Sequence, residues 1–134
     1  MTVGYLSIEQ VRALHADQLR LYGGATGLRD KGAHESAVAR PAMTFGGEDL
    51  YEDLASKASA LMHSLVLNHA FVDGNKRIAF MTMVAFLRKN GVRFSPDQAH
   101  ITAIILSLAA GEVSEESLAR WIRDNWPKSS RVGR

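Results

Sequence analysis

Two neighbouring segments with apolar residues at helical spacing constrain the fold of this chain most. Residues 54–68 repeat apolar side chains every three or four positions and carry one charged residue, Lys57. Residues 78–87 are apolar on almost every side, and Thr82 is their only polar side chain. A helix that is apolar all round must be surrounded by other helices. We therefore predict an all-α domain in which residues 78–87 form the central helix.

Capping signals predict two helices before these segments. Ser7 and Gln10 form a capping box for a helix over residues 8–22, because each side chain can bond a backbone amide that the helix start leaves unsatisfied. Asp30 predicts the start of a short second helix. That helix must end before Pro41, since the residue before a proline is pushed out of helical geometry.

Two more helices are predicted after the central segments. Ser95 is the expected N-cap of the first, with Pro96 in its first turn and Gln98 as its capping-box partner. Ser114 predicts the start of a last helix that runs to about Trp126. Two glutamates follow Ser114, where the helix dipole favours negative charge.

Residues 41–51 interrupt the helical spacing and contain two adjacent glycines between Phe45 and Leu50. This composition predicts an exposed flap or an irregular hairpin. A flap that docks an extended target segment and a loop packed on the helices fit the residues equally well. The predicted fold class is therefore all-α, a bundle of about six helices with a short flap between the second and third helices.

The size and composition of the chain predict one domain. Its 134 residues, 46% of them apolar, suffice for a single core. We expect that domain over residues 1–126, followed by a basic tail over residues 127–134. Helices that mix both signs of charge do not form the basic stripe of a nucleic-acid-binding protein, so direct binding of nucleic acid is not expected.

The absence of cysteine excludes disulfides and thiolate metal sites. The N-terminus lacks the pattern of a signal peptide, and no apolar run approaches the roughly 20 residues that a membrane span requires. These features predict a cytoplasmic protein without a membrane partner.

The segment 69–77 is polar, contains a glycine and lies between the two most apolar helices. A helix N-terminus presents backbone amides and a partial positive charge, so Gly74, Asn75 and Lys76 can form an anion-binding site there. Lys76 and Arg77 add full charges at an end where the dipole disfavours them, which indicates a compensating ligand such as a polyphosphate.

Three other residues of this segment complete the candidate site. Asp73 is an acceptor among groups suited to anions, and a Mg²⁺ ion shared with the phosphates resolves that conflict. His69 can take a proton from a hydroxyl near neutral pH, and Phe71 is the expected apolar anchor of the loop. From the residues alone, an ordinary helix–helix loop fits about as well as a phosphate site.

The other histidines give weaker signals. His34-Glu35 begins like a zinc-protease signature, but the second histidine is missing. His15, His63 and His100 lie on separate predicted helices without metal-ligand spacing, and we assign them structural roles. His63 lies close enough in sequence to the loop to support it indirectly.

The run His-x-Phe-x-Asp-Gly-Asn-Lys-Arg at residues 69–77 resembles the active-site motif of the Fic/Doc family, and Lys76 resembles its Doc branch. The similarity extends to Gly27-Leu28-Arg29-Asp30 and to the segment 86–91, and covers roughly residues 6–126. It implies a Fic-type helical fold and a toxin of a bacterial toxin–antitoxin system.

The resemblance also implies a role for each motif residue. The residue matching His69 deprotonates a target hydroxyl, the residue matching Asp73 holds Mg²⁺, and the residues matching positions 74–77 hold phosphates. Doc-type members transfer the terminal phosphate of ATP to a Ser/Thr hydroxyl of elongation factor Tu and so arrest translation. Typical Fic members transfer AMP instead, and a non-catalytic module that binds an anion or peptide is a further alternative.

Two departures from the family pattern bear on these expectations. A second arginine of Fic motifs is replaced by Phe80, which disfavours AMP transfer and which we expect in the core. The built-in inhibitory helix of the family has no good match, since Thr44, Glu48 and Asp49 form an imperfect version that two glycines interrupt. Inhibition is therefore expected from a separate antitoxin, and an apolar groove near Trp121 and Trp126 could receive a helix of that antitoxin.

Overall fold

The computed structural model describes residues 2–68 and 74–128, and within them the regular structure is helical except for one short two-stranded hairpin. The prediction of an all-α fold with six helices and a flap between the second and third is confirmed. The elements are α1 (Ile8–Tyr22), α2 (Lys31–Ala39), a 3-10 helix (Arg40–Ala42), β1 (Thr44–Phe45), β2 (Glu48–Asp49), α3 (Leu54–Asn68), α4 (Asn75–Lys89), α5 (Gln98–Ala109) and α6 (Glu115–Asp124). None of the described helices is long and apolar enough to cross a membrane.

The first two helices begin as their capping signals predict. The amide of Gln10 donates to Ser7 Oγ at 3.1 Å, and the amide of Ser7 donates to Gln10 Oε1 at 2.8 Å. Asp30 accepts a hydrogen bond from the amide of Ala33 at 2.9 Å. Each cap satisfies amides that the first helical turn cannot satisfy by itself.

The predicted start of α5 was wrong. Asp97, not Ser95, is the N-cap, and its Oδ1 accepts from the amide of Ala99 at 3.0 Å. Pro96 therefore precedes the helix and Gln98 is its first residue. A carboxylate interacts with the positive end of the helix dipole more strongly than a hydroxyl does, which favours Asp97 over Ser95 as the N-cap.

The central helix is α3, and the prediction that α4 has this place was wrong. Helix α3 packs against α2, α4, α5, α6 and the 3-10 helix, whereas α4 packs against α1, α3 and α5. Ten of the 15 residues of α3 are buried, against six of the 15 in α4. Small residues such as Ala55, Ala58 and Ala60 allow helices to approach α3 from several sides.

Two clusters of buried side chains connect the helices. The larger one lies between α3, α4, α5 and α6, and Phe80 packs against it as predicted. The smaller one contains Val11, Val38 and Ile78, which belong to α1, α2 and α4. This second cluster holds α1 beside the first turns of α4, which is where the candidate site begins.

The flap is a two-stranded antiparallel hairpin in which Thr44 pairs with Asp49 and Phe45 with Glu48. Its turn consists of two glycines with φ of +62° and +84°, as a tight hairpin turn requires. Phe45 is 83% exposed, so its ring does not pack on the helices. The strands also show that the imperfect inhibitory segment at Thr44, Glu48 and Asp49 is not helical in this chain.

Lys57 lies almost completely buried beneath the hairpin, with 1% of its side chain exposed. Its Nζ donates to Asp49 Oδ2 at 3.1 Å and to the carbonyl of Pro41 at 3.3 Å, and it lies 5.5 Å from the centre of the Tyr5 ring. Burial alone would lower the pKa of Lys57, but hydrogen bonds to Tyr5 and Asp49 raise it above its ordinary value. A charged lysine therefore attaches the hairpin to α3.

A second polar group fixes the two ends of the segment that carries the hairpin. Arg40 Nε donates to Tyr51 Oη at 3.0 Å, and the Arg40 guanidinium also pairs with Glu115 at the start of α6. Ser59 of α3 donates to the carbonyl of the same glutamate at 2.6 Å. The hairpin is thus held by both α3 and α6 through side chains that carry opposite charges.

We predict that Asp49→Ala lowers the free energy of unfolding by about 1–3 kcal/mol, because it leaves the buried Lys57 ammonium without its carboxylate. Urea denaturation at neutral pH measures this change. Glu48→Ala removes an exposed carboxylate from the same strand and is the matched control, with an expected change within about 0.5 kcal/mol. Equal losses in the two variants would contradict the role of the Lys57 pair.

Asp53 connects the start of α3 to α6. Its Oδ1 accepts from the amide of Ser56 at 2.7 Å, and its Oδ2 lies 3.0 Å from Arg123 Nη2. Burial alone would raise the pKa of Asp53, but the hydrogen bonds from Ser56 and Arg123 outweigh it and lower the pKa below its ordinary value.

The lowered pKa of Asp53 predicts a stability loss in acid. The carboxylate contributes stability above its unfolded pKa of about 3.9, and this contribution disappears as the pH falls through the lower folded pKa. Asp53→Asn keeps a capping oxygen but does not titrate, so its urea midpoint should fall less between pH 6 and pH 2 than that of the wild type. Parallel midpoint curves for the two proteins would show that Asp53 is not the titrating group.

Candidate functional site

The candidate loop connects α3, which ends at Asn68, to α4, which begins at Asn75. His69, Phe71 and Asp73 lie outside the described residues, so their roles as base, loop anchor and metal ligand stay predictions. Gly74 and the first turn of α4 are described. The neighbours of these residues show what surroundings the helix start offers to a ligand.

Gly74 is the N-cap of α4 and has a left-handed backbone with φ of +78°. A Cβ atom at this position would lie 3.6 Å from His15 Nε2 and 3.7 Å from Leu19 Cδ2. Glycine adopts this conformation without steric cost and brings the helix start close to α1. The start of α4 therefore packs directly against the C-terminal half of α1.

The first turn of α4 carries two cations and no acidic residue. Lys76 is exposed, while Asn75 and Arg77 are half-buried. The amides of this turn and the helix dipole make the same end positive, so the added charges oppose the local preference. Gly74, Asn75, Lys76 and Arg77 are consecutive at this helix start, and their role in phosphate binding stays a prediction.

Arg77 makes contacts with the loop after α1 that the sequence did not predict. Its Nη2 donates to the carbonyl of Gly23 at 3.1 Å, and its guanidinium carbon lies 5.7 Å from the centre of the Tyr22 ring. A guanidinium carries five N–H donors, so the bond to Gly23 is compatible with a phosphate contact. Arg77 therefore fixes the loop that follows α1 against the candidate phosphate site.

His15 is a residue near the site to which the sequence analysis gave only a structural role. It is 5% exposed and lies beside Gly74. The sequence does indicate that His15 shares one face of α1 with Leu19, because the two residues are four positions apart. Nothing in the sequence connected that face to residue 74, because their contact depends on how α1 packs against α4.

The remaining histidines lie elsewhere. His63 Nε2 is 3.1 Å from the carbonyl of Val113, so His63 faces the segment before α6. His34 is fully buried, and burial followed by the charge of Arg12 lowers its pKa. His100 lies on the surface beside Asp97. Within residues 2–68 and 74–128, no three His, Asp or Glu side chains form a group that could hold a metal ion.

The groove expected near the last helix is present at the start of α3. It has a volume of about 490 Å³ and is lined by Asp53, Leu54, Ala55, Arg123 and Trp126. Trp121 belongs to the core, where its ring packs edge-on against Phe94 at 5.7 Å. The groove therefore involves only one of the two tryptophans that the sequence suggested.

Comparison with known protein families matches residues 5–87 to the family described as "Fic/DOC family". The curated protein "Toxin Doc" of Mycolicibacterium smegmatis is 49% identical over 76 residues, which cover 57% of this chain and 58% of that protein. "Protein kinase doc" of Escherichia phage P1 is 33% identical over 121 residues, which cover 89% of this chain and 93% of that protein. The region that matches the family, residues 5–87, includes the loop between α3 and α4.

We predict that Arg77→Met weakens the binding of inorganic triphosphate by about 10- to 100-fold, because a hydrogen bond to a charged group is worth about 1.5–3 kcal/mol. Isothermal titration calorimetry measures the affinity. Arg88→Met changes an exposed arginine in the last turn of the same helix and is the control, with affinity expected to stay within about twofold of the wild type. Equal affinities for the Arg77 and Arg88 variants would exclude Arg77 from the site.

Proposed function

This chain belongs to the Fic/DOC family, and from that membership we propose that it is a Doc-like toxin that transfers the terminal phosphate of ATP to a protein hydroxyl. The proposed target is a Ser/Thr hydroxyl of a translation protein, elongation factor Tu, so that phosphorylation arrests translation. The observation that carries the proposal is the cationic first turn of α4 directly after the His69–Asp73 segment. A relative named as a protein kinase, aligned over 89% of this chain, supports it.

In the proposed reaction, His69 takes the proton of the target hydroxyl. The hydroxyl oxygen then bonds to the terminal phosphorus of ATP, the bond from that phosphorus to the bridging oxygen breaks, and ADP leaves. Gly74, Asn75, Lys76 and Arg77 hold the phosphates through backbone amides and positive charge. His69 releases its proton to solvent before the next turnover.

Asp73 is the proposed ligand of Mg²⁺. One carboxylate together with the phosphates of a nucleotide is a donor set that suits this ion. When bound, the ion offsets negative charge on the phosphates. The exposed ammonium of Lys76 and the acid-free first turn of α4 fit a polyphosphate of high negative charge, which is the partner that such an ion requires.

Two residues favour phosphate transfer over transfer of AMP. Lys76 replaces a glycine of typical Fic motifs, and its long side chain takes space that a phosphate would need. Phe80, where those motifs place a second arginine, packs against the core and offers no donor. Both differences remove phosphate contacts of the AMP-transferring arrangement, so AMP transfer is the second candidate.

The hairpin is the proposed docking edge for the target. Phe45, Leu50 and Met43 are 83%, 49% and 44% exposed, which favours a surface for another protein over a loop packed on the helices. Lys57 and Arg40 hold the hairpin in a fixed position, so little ordering would be required when a target segment binds.

We propose further that a separate antitoxin inhibits this protein and that the protein acts in the cytoplasm. The segment that most resembles an inhibitory helix forms the strands of the hairpin instead. The groove at Trp126 is the proposed antitoxin surface. We assign these functions to a domain over residues 1–126, with residues 127–134 as a basic tail.

The test is intact-protein mass spectrometry of elongation factor Tu after incubation with this protein, ATP and Mg²⁺. We expect a mass gain of one phosphate, and a rate about 10²–10⁴ times lower for His69→Ala, because a general base contributes about that factor. His100→Ala changes an exposed histidine beside Asp97 and should keep the full rate.

Circular dichroism of both variants verifies that each is folded. A mass gain of AMP would show that the protein transfers a nucleotide and not a phosphate. Full activity of His69→Ala would overturn the proposed role of this residue, and the absence of any modification would overturn elongation factor Tu as the target.

A further inference from the structure

The hairpin between the 3-10 helix and α3 has two faces that carry different side chains. Successive residues of a strand point to opposite faces of a sheet, and residues that pair across two strands share a face. Phe45 pairs with Glu48, so these two side chains lie next to each other on one face. Thr44 pairs with Asp49, and their side chains lie on the other face.

The contacts of Asp49 show which of the two faces points away from the helices. Asp49 accepts a hydrogen bond from the buried Lys57 of α3, so the face with Asp49 is turned toward the helices. The face with Phe45 and Glu48 therefore points outward, and both residues are exposed. At 83%, Phe45 has the largest exposed fraction among the large apolar side chains that the structure describes.

Met43 and Leu50 extend the outward face toward the base of the hairpin. The amide of Leu50 donates to the carbonyl of Met43 at 2.9 Å, which continues the pairing of the two strands. Each of these residues is two positions from Phe45 or Glu48 along its own strand and therefore lies on the same face. The outward face thus combines an apolar surface with the carboxylate of Glu48.

The charge of the hairpin segment suits a basic side chain from a partner. Residues 41–53 contain four carboxylates and no lysine or arginine. Two of these carboxylates pair with cations of α3 and α6, whereas Glu48 forms no ion pair within the part of the chain that the structure describes. A cation that approaches the outward face therefore meets a carboxylate without a counter-charge and no cation of the hairpin itself.

The ring of Phe45 adds a second attraction for the same kind of group. The face of an aromatic ring is electronegative and attracts a cation that lies within about 6 Å of its centre. Cβ atoms of residues that pair across two antiparallel strands are about 4.5–5.5 Å apart, so one basic side chain can contact the ring of Phe45 and the carboxylate of Glu48 at once. A neutral side chain gains neither attraction, and an acidic one is repelled by Glu48.

One extended segment of an acceptor protein can reach from the hairpin to the candidate site. Lys57, which holds the hairpin, lies about three helical turns before Asn68, the last residue of α3. These turns correspond to about 16 Å along the helix. An extended chain covers that distance with about five residues.

We infer that Phe45 and Glu48 form a binding site for a lysine or arginine side chain of the acceptor protein. The hairpin thereby selects acceptor segments with a basic residue near the hydroxyl and rejects segments with an acidic residue in that place. The inference rests on the proposed function of the hairpin as a docking edge. It adds the two residues that select the acceptor and the charge of the segment that they select.

The experiment measures the binding of three fluorescent peptides to the full chain by fluorescence anisotropy. The peptides are built from threonine and valine and differ only in a central lysine, glutamine or glutamate. We expect the wild type to bind the lysine peptide about tenfold more tightly than the glutamate peptide. The variant Glu48→Lys should reverse this order. The matched control Glu112→Lys makes the same change at an exposed position outside the hairpin and should keep the wild-type order.

A second variant, Phe45→Leu, tests the ring separately from the carboxylate. Leucine keeps an apolar side chain at this position but has no aromatic face, so the preference for lysine over glutamine should fall by about threefold. Circular dichroism verifies that each variant is folded.

The inference is overturned if the wild type binds the three peptides equally or binds none of them, or if Glu48→Lys keeps the wild-type order. Loss of the preference in Glu112→Lys as well would show a general effect of charge and would also overturn it. No ATP is present in this experiment, so the preference is measured independently of the reaction. Absence of phosphate transfer to elongation factor Tu is therefore a distinct outcome, which concerns the proposed function alone.

Discussion

The packing of α3 against α4 is the contact on which the rest of the structure depends. Helix α3 buries ten of its 15 residues and also packs against α2, α5 and α6. Its two ends therefore determine where the other parts lie. At its start, Lys57 and Asp53 attach the hairpin and α6, and its end leads into the segment before α4. A single buried helix thus fixes both the proposed docking edge and the candidate site, and leaves little freedom between them.

Charge is distributed differently at the two ends of α3. The cations that hold the hairpin and α6 have carboxylate partners: Lys57 pairs with Asp49, Arg40 with Glu115 and Arg123 with Asp53. The first turn of α4 has two cations, a positive helix dipole and no acidic residue of its own. Pairing at the first end stabilises the fold. The accumulation of positive charge at the second end gives binding energy that an anionic ligand can use.

The contacts at the start of α4 extend this arrangement. The contacts of Arg77 and Gly74 connect the motif to α1 and to the loop after it. A change in that loop would therefore alter the position of a motif arginine.

The sequence by itself determined the helices, their caps at Ser7, Asp30 and Ser114, the break in the helices at residues 41–51 and the family, because these depend on local spacing and on a short motif. It left a flap and a hairpin open at that break, and the structure shows a hairpin. It did not determine the start of α5 at Asp97, where two local caps compete within three residues. Only the tertiary structure decided that α3 is central, that Lys57 is buried, that His15 lies beside Gly74 and that Arg77 holds Gly23. These features depend on which helix faces meet, and contacts between separate elements leave no periodic signal in the chain, as with Arg77 and Gly23, which are 54 positions apart.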